Sequence, residues 1–304
     1  MDTLQKELKK INISCPHTFD EPMYLHTSFK IGGPADVFAA PQHEKHIMEI
    51  FSFCLKNNIP FFVLGCGANI LISDRGIRGI VISMENFSGI TIDDAVITAR
   101  SGTALNTVAE TARDHGLSGL DTFYKMPGSV GGAIWMNARC YNVSISDLLE
   151  YVELIDDSLA IRKITVEKDE FSYKHSPFQN QRLLIIKGYF KLKKGDPDII
   201  KTRMKEIYID RQKKGHFLYP SAGSVFKNNR DFDAPSGRLI DALGLKGYRI
   251  GGAQVSPQHA NIIINTGGAK AQDVKTLIEY LQEQVLKHYG YKLEKEILYV
   301  GEGL

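Results

Sequence analysis

Short strand-like apolar runs alternating with helix-periodic segments predict an α+β fold, and the length of the chain predicts two domains. Three observations carry this. Asp36–Ala40 and Phe61–Leu64 read as strands around a stretch, His43–Asn57, whose apolar residues Ile47, Ile50, Phe51, Cys54 and Leu55 recur at helical spacing. Two glycine-rich segments interrupt the strand pattern without a helix-long spacer before the first. With 304 residues the chain exceeds the usual size of a single core, which favours two domains and a cleft for chemistry.

In chain order, the β-α-β unit is followed at once by Gly65-Cys66-Gly67-Ala68-Asn69, then by strands at Ile77–Ser83 and Ala95–Arg100. Thr103 is placed to cap a helix with Leu105, Val108, Ala109 and Ala112 on one side, closed by Gly116. The second glycine segment is Pro127-Gly128-Ser129-Val130-Gly131-Gly132-Ala133. Strands resume at Tyr151–Ile155 and Leu183–Leu192, and Gly195-Asp196-Pro197 breaks the pattern, so the domain boundary is set at 196/197. Beyond it the sequence predicts a helix over about Asp198–Arg211, a short helix at Arg238–Leu243 closed by Gly244, and a strand at Ile262–Asn265. A long helix over Ala271–Tyr289 buries Val274, Leu277, Ile278, Leu281 and Val285, and a strand at Leu293–Val300 follows.

Composition excludes several classes. Hydrophobic residues at 43% and charged residues at 24% describe a globular chain, and no apolar run is long enough to span a bilayer, so no membrane insertion is expected. Met1–Lys10 is charged and amphipathic rather than signal-like, which gives a cytoplasmic expectation. A net charge of +2 with scattered basic residues argues against nucleic acid as a partner; the Lys191, Lys193, Lys194 cluster reads as a solvated turn. Cys15, Cys54, Cys66 and Cys140 form no CxxC pair, and His43 and His46 lack a third ligand, so no metal site is expected.

Neither glycine segment fits GxGxxG or GxxxxGK[ST], which leaves a Rossmann dinucleotide site unsupported. Both nevertheless offer runs of backbone N–H groups free of obstructing side chains, able to form an anion nest for a diphosphate or simply tight turns. Pro220-Ser221-Ala222-Gly223-Ser224-Val225-Phe226-Lys227-Asn228 puts a hydroxyl, an ammonium and an amide on one segment. Gly223 opens the backbone beside Ser224 to a planar ligand. If the segment runs extended, Ser224 and Phe226 share one face, and Val225 and Lys227 the other. An edge strand after a proline turn is the alternative.

Leu64-Gly65-Cys66-Gly67-Ala68-Asn69-Ile70-Leu71, Met126-Pro127-Gly128-Ser129-Val130-Gly131-Gly132-Ala133 and Met136-Asn137-Ala138 resemble the flavin-binding segments of the UDP-N-acetylenolpyruvoylglucosamine reductase family. Pro220 to Asn228, Gly244-Leu245-Lys246-Gly247 and Leu293-Glu294-Lys295-Glu296-Ile297 resemble its substrate-domain segments, in the same order over nearly the whole chain. The resemblance implies a fold of the vanillyl-alcohol oxidase type. A two-part FAD-binding domain would span 1–196, divided at about 60/61, and a smaller α+β substrate domain 197–304. It also implies FAD, NADPH as hydride donor at a site shared in turn with substrate, a UDP-sugar substrate, and a role in peptidoglycan synthesis; no attachment residue for covalent flavin is evident, so the FAD is expected to be non-covalent, and a monomer is expected. FAD contacts would come from Gly65, Cys66, Gly67, Ala68, Asn69, Pro127, Gly128, Ser129, Gly131 and Gly132. The length matches the shorter subtype, which lacks an extra loop that closes a tyrosine over substrate.

By the same resemblance, hydride delivered to the enolpyruvyl alkene leaves an enolate whose adjacent carbon takes a proton from Ser224. Glu296 matches a carboxyl near that enolate, and it assists only when protonated or water-bridged, since a bare carboxylate repels the charge. Lys227, Asn228 and Lys246 match substrate-binding positions. The family's Tyr-Arg-x-Ser motif reads Tyr173-Lys174-His175-Ser176 here, so Lys174 stands for the arginine with a point charge in place of a planar fork. Lys125, Arg139 and Asn142 occupy positions usually glycine, and Arg139 is a second candidate for the missing guanidinium. Two other readings stay open: an FAD oxidase of the same superfamily, and a flavin- or nucleotide-sugar-binding protein without turnover.

Overall fold

A computed structural model describes residues 13–304 together with Leu4, Leu8 and Ile11. It contains two compact units. One comprises the residues up to Phe19 with Asp36–Cys66 and Gly79–Ile209, the other Asp20–Ala35, Gly67–Arg78 and Asp210–Leu304. The architecture is α+β, as the sequence predicts.

Two sheets build the first unit. A four-stranded sheet runs in the order His17–Pro22, Pro34–Ala39, Ile77–Ser83, Phe61–Leu64, the last two parallel. The helix Glu44–Lys56 buries Ile47, Ile50, Phe51 and Cys54, the stripe its spacing predicts, in a core with Val37, Ile80 and Ile82. A five-stranded antiparallel sheet follows in the order Ile161–Thr165, Leu149–Ile155, Leu184–Lys191, Val96–Arg100, Ile90–Asp93. Helix Leu105–Asp114 packs Leu105, Val108, Ala109 and Ala112 into its core. Thr103 does not cap that helix: the N-cap is Ala104, and the Thr103 hydroxyl instead takes the Gly89 N–H at 3.0 Å and donates to the Gly89 carbonyl at 3.1 Å. A nearer backbone partner outcompetes the cap.

The second unit carries a four-stranded antiparallel sheet in the order Ser221–Ser224, Ile262–Asn265, Ala253–Val255, Arg249–Ile250. Helix Ala271–Tyr289 lays Val274, Leu277, Ile278, Leu281 and Val285 into the core, each fully buried side chain contributing about 1.5–3 kcal/mol. Its first N–H groups are taken by Asp74, at 2.9 Å from Ala271 N and 3.2 Å from Gln272 N, and Gly290 ends it at φ +75°. The predicted last strand is shorter than expected. Leu298–Val300 pairs in parallel with Ile70–Ile72, while the residues before it pair with the segment after Ser224.

The chain passes between the two units five times, where the sequence sets one boundary at 196/197. Helix Pro197–Lys213 belongs to the first unit through Ile209, because Ile200 and Met204 are buried in the same core as Leu192.

Candidate active site

The two glycine segments differ in how they use their backbone. In the second, Val130 N donates to Thr103 O at 2.9 Å and Gly131 N to Ser101 O at 2.8 Å. Gly132 N donates to Ser129 Oγ at 3.3 Å, Ser129 being the N-cap of the short helix Val130–Trp135. In the first, none of the N–H groups of Gly65, Cys66, Gly67, Ala68 and Asn69 donates to a protein acceptor among the described residues. A run of polar donors left without partners is an anion nest in waiting.

Within the first unit the two segments meet. A Cβ on Gly65 would lie 2.2 Å from Ser129 Oγ, and Ser129 also hydrogen-bonds the Cys66 thiol. Desolvation, then the Glu85 carboxylate, raises the Cys66 thiol above its ordinary value against the lowering bond from Ser129. Raised to about 11, it stays a neutral thiol lining the loop. Ser101 adds a buried hydroxyl with no protein partner among the described residues, next to Gly131, whose added Cβ would meet Ser101 Cβ at 2.8 Å. Open N–H groups, an orphan hydroxyl and a side-chain-free approach fit the diphosphate and polar edge of a flavin dinucleotide.

Within the second unit the far half of the first loop is tied to the serine segment. The Ser28 hydroxyl donates to the Ser221 carbonyl at 2.7 Å and the Ser28 N–H donates to the Gly67 carbonyl at 3.1 Å, so one residue joins the loop to that strand. Asn69 Nδ2 donates to the Glu296 carbonyl at 3.2 Å. Ser221 pairs with Ile264 and Ser224 with Ile262, three steps against two, which makes a bulge. Gly223 turns there at φ +72°, with no atom within 4 Å of where its Cβ would be. This overturns the simple alternation. Val225 and Phe226 are both buried at 1%, so the bulge re-aims the chain after Ser224. Glu296 N donates to Val225 O at 2.7 Å and Lys227 N to Glu294 O at 2.9 Å, which sets the Glu296 backbone against the residue after Ser224.

Lys174 sits at the crown of a turn closed by reciprocal bonds between Ser172 and His175, at 3.1 and 3.2 Å, with φ +60°. The turn is anchored. Ser176, fully buried, donates to Trp135 O at 2.7 Å, and Asn137 Nδ2 donates to Ser172 O at 2.8 Å. A left-handed lysine costs on the order of 1–3 kcal/mol, and such strain persists only where the surroundings impose it. Arg139 and Ser144 face each other across a hairpin whose turn residues, Tyr141 and Asn142, have φ +45° and +67°. The Arg139 guanidinium lies 3.4 Å from Ser144 Oγ. Lys125, at φ +55°, reaches toward Glu110 at 3.8 Å and over the Tyr124 ring.

The substrate candidates are paired on their own unit. Lys227 Nζ meets Glu294 Oε1 at 2.5 Å, Lys246 Nζ meets Asp241 Oδ2 at 2.7 Å, and Asn228 Oδ1 accepts from Ser236 N at 3.1 Å. Ser28, Ser101 and Asn261 escape sequence reasoning. Asn261 directly precedes an apolar strand, where a buried amide has no periodic signal, and its side chain clasps Phe226.

Two family models match the chain: one described as an FAD binding domain over residues 35–163, the other as the C-terminal domain of UDP-N-acetylenolpyruvoylglucosamine reductase over residues 213–300. The chain is 40% identical over 301 residues, 99% of each chain, to the UDP-N-acetylenolpyruvoylglucosamine reductase of Caldanaerobacter subterraneus subsp. tengcongensis. It is 42% identical to that of Treponema denticola, covering 93% of each chain. Its fold is similar to the crystal structure of the Thermus caldophilus reductase, with a TM-score of 0.78 and 32% identity over 95% of this chain and all of that one. These likenesses agree with the vanillyl-alcohol oxidase-type flavoprotein fold that the sequence predicts.

Proposed function

Given that the chain belongs to the UDP-N-acetylenolpyruvoylglucosamine reductase family, we propose that it reduces the enolpyruvyl ether of UDP-N-acetylenolpyruvoylglucosamine to the lactyl ether of UDP-N-acetylmuramate for peptidoglycan synthesis. It is a flavoprotein oxidoreductase with FAD as cofactor and NADPH as reductant. The matched stretches support an FAD-binding portion over 35–163 and a substrate portion over 213–300. Among the described residues no helix is long and apolar enough to cross a membrane. A cytoplasmic monomer is the reading we adopt.

One observation carries the proposal: Ser28 joins the open N–H loop to the serine strand, its N–H donating to the Gly67 carbonyl and its hydroxyl to the Ser221 carbonyl. An anionic group held by the N–H groups of residues 67–69 is thereby kept in register with the strand that carries Ser224. FAD, held by backbone N–H groups of the glycine loop, would supply the hydride chemistry that links NADPH to the substrate alkene. The chain's own groups do the rest. Ser224 donates a proton to the carbon next to the substrate carboxylate; a serine is a weak acid, so placement counts for more than acidity. Lys174 is assigned the neutralising of the carboxylate as charge grows there, and Glu296, whose N–H donates to the Val225 carbonyl, lies beside the segment that follows Ser224. Lys227 and Lys246 exchange their surface carboxylates for the substrate diphosphate, a trade that costs little because exposed ion pairs are worth about 0–1 kcal/mol. Asn228 stands beside them.

The test follows the hydrogens. With nicotinamide-deuterated NADPH in ordinary water, the product should carry deuterium on the terminal carbon and solvent hydrogen on its neighbour. NADPH consumption independent of the UDP-sugar, with oxygen as acceptor, would favour the oxidase reading instead.

A further inference from the structure

We propose that Asn261 is a positioning residue for proton transfer by Ser224, holding the backbone that leaves the serine in the one direction that aims its hydroxyl. The proposal rests on Ser224 being the proton donor. The bulge at Gly223 frees the strand just where the serine sits, since Gly223 has nothing packed over its α-carbon and takes φ +72°. Regular pairing with Ile262–Asn265 ends at Ser224. From there Asn261 takes over as a substitute for the ladder. Its carbonyl accepts from Val225 N at 2.8 Å, its Oδ1 accepts from Phe226 N at 3.0 Å, and its Nδ2 donates to Phe226 O at 2.8 Å. Three bonds therefore fix the two residues after Ser224.

The side chain is suited to this and to little else. It is 4% exposed, so each polar end of its side chain needs a partner, and each has one. Both polar ends of the carboxamide are used, one as acceptor and one as donor; an aspartate could not donate to the Phe226 carbonyl. Asn261 is itself held, its N–H donated to His259 Nδ1 at 3.2 Å and its Cβ 3.2 Å from where a Cβ on Gly237 would be. Displacement of a reacting group by about 1 Å costs about a hundredfold in rate, so a clamp one residue away is worth a measurable factor.

The experiment uses the full-length, FAD-loaded protein in anaerobic stopped flow, with Asn261→Asp, Asn261→Ser, Ser224→Ala and the two double variants. Bleaching of the flavin by NADPH should stay within about twofold of wild type, while reoxidation by the UDP-enolpyruvyl sugar slows by about tenfold or more. On the Ser224→Ala background neither Asn261 change should slow reoxidation further, because the hydroxyl it aims is gone. Amide exchange at Val225 and Phe226 should accelerate in both Asn261 variants while Ile263 stays protected, a readout independent of turnover. Unchanged reoxidation in Asn261→Asp and Asn261→Ser beside a slow Ser224→Ala overturns this proposal alone. Slowing that multiplies with Ser224→Ala overturns it too. A Ser224→Ala that reoxidises at the wild-type rate overturns the proton-donor reading and this proposal with it.

Discussion

Lys174 combines a strained backbone, φ +60°, with a half-buried place on a turn pinned by Ser176 and Asn137, and that combination is what a charge-bearing residue at a site requires. Replacing Lys174 with alanine should lower substrate-dependent turnover by about a hundredfold, the cost of losing one preorganised stabiliser of developing charge. Lys174→Arg should retain most of the rate, because the charge is kept. Unchanged steady-state turnover in Lys174→Ala would remove the residue from the mechanism. The identity of this position was legible in the sequence, through its place in Tyr173-Lys174-His175-Ser176; its left-handed backbone was not, because lysine carries no turn signal. Asn142 was the reverse, an asparagine whose tolerance of φ > 0 the hairpin uses at +67°. Arg139 meets Ser144 on that hairpin, so its candidacy as a replacement guanidinium now competes with a hydroxyl partner.

The glycine loops show what a strand-and-turn pattern can reveal and where it stops. Both loops stood out by composition, yet only the pairing of their N–H groups tells the open nest at residues 65–69 from the self-satisfied turn at 130–132. Gly65→Ala puts a methyl 2.2 Å from Ser129 Oγ, so FAD affinity should fall by about tenfold or more in a fluorescence titration. The double variant Gly65→Ala with Ser129→Ala should recover part of that loss, since the obstructing oxygen goes with it. No recovery would mean that the loops meet differently. At the serine strand, the sequence pointed to Gly223 but not to a bulge, and the expected alternation failed because a single extra residue reverses the faces. Gly223→Val should destabilise by about 1–2 kcal/mol from its left-handed angle alone, there being no clash, and Gly223→Asn by less; urea midpoints measure both.

The fold class, most element positions and the family were legible across the chain, because apolar periodicity and ordered motifs are local. The division into two units was not. Segments 20–35 and 67–78 join the second unit by contacts far away in sequence, such as Ser28 with Ser221 and Asp74 with the start of helix Ala271–Tyr289, which no periodicity encodes. One consequence of burial spans the second unit. Desolvation, then the charges of Arg211, His259 and Lys214, pushes His216 down to about 4 from its ordinary 6.5, against the opposing pull of Asp210. Since the folded state refuses a proton that the unfolded chain accepts, stability is full above about pH 6.5 and falls as pH drops toward about 4. Between about pH 7 and about pH 4.5, wild type should lose about 1–2 kcal/mol more than His216→Gln in urea unfolding, after allowance for solvent reaching the ring. Equal losses would mean that the ring is not shielded in solution.

Everything proposed for the site depends on passage of reducing equivalents from NADPH to an enolpyruvyl sugar through bound flavin. It is tested most directly by anaerobic titration of the yellow protein, first with NADPH and then with UDP-N-acetylenolpyruvoylglucosamine. NADPH should bleach the flavin and the sugar should restore the colour mole for mole, with the lactyl ether as product. A protein that NADPH bleaches and only oxygen recolours would contradict it.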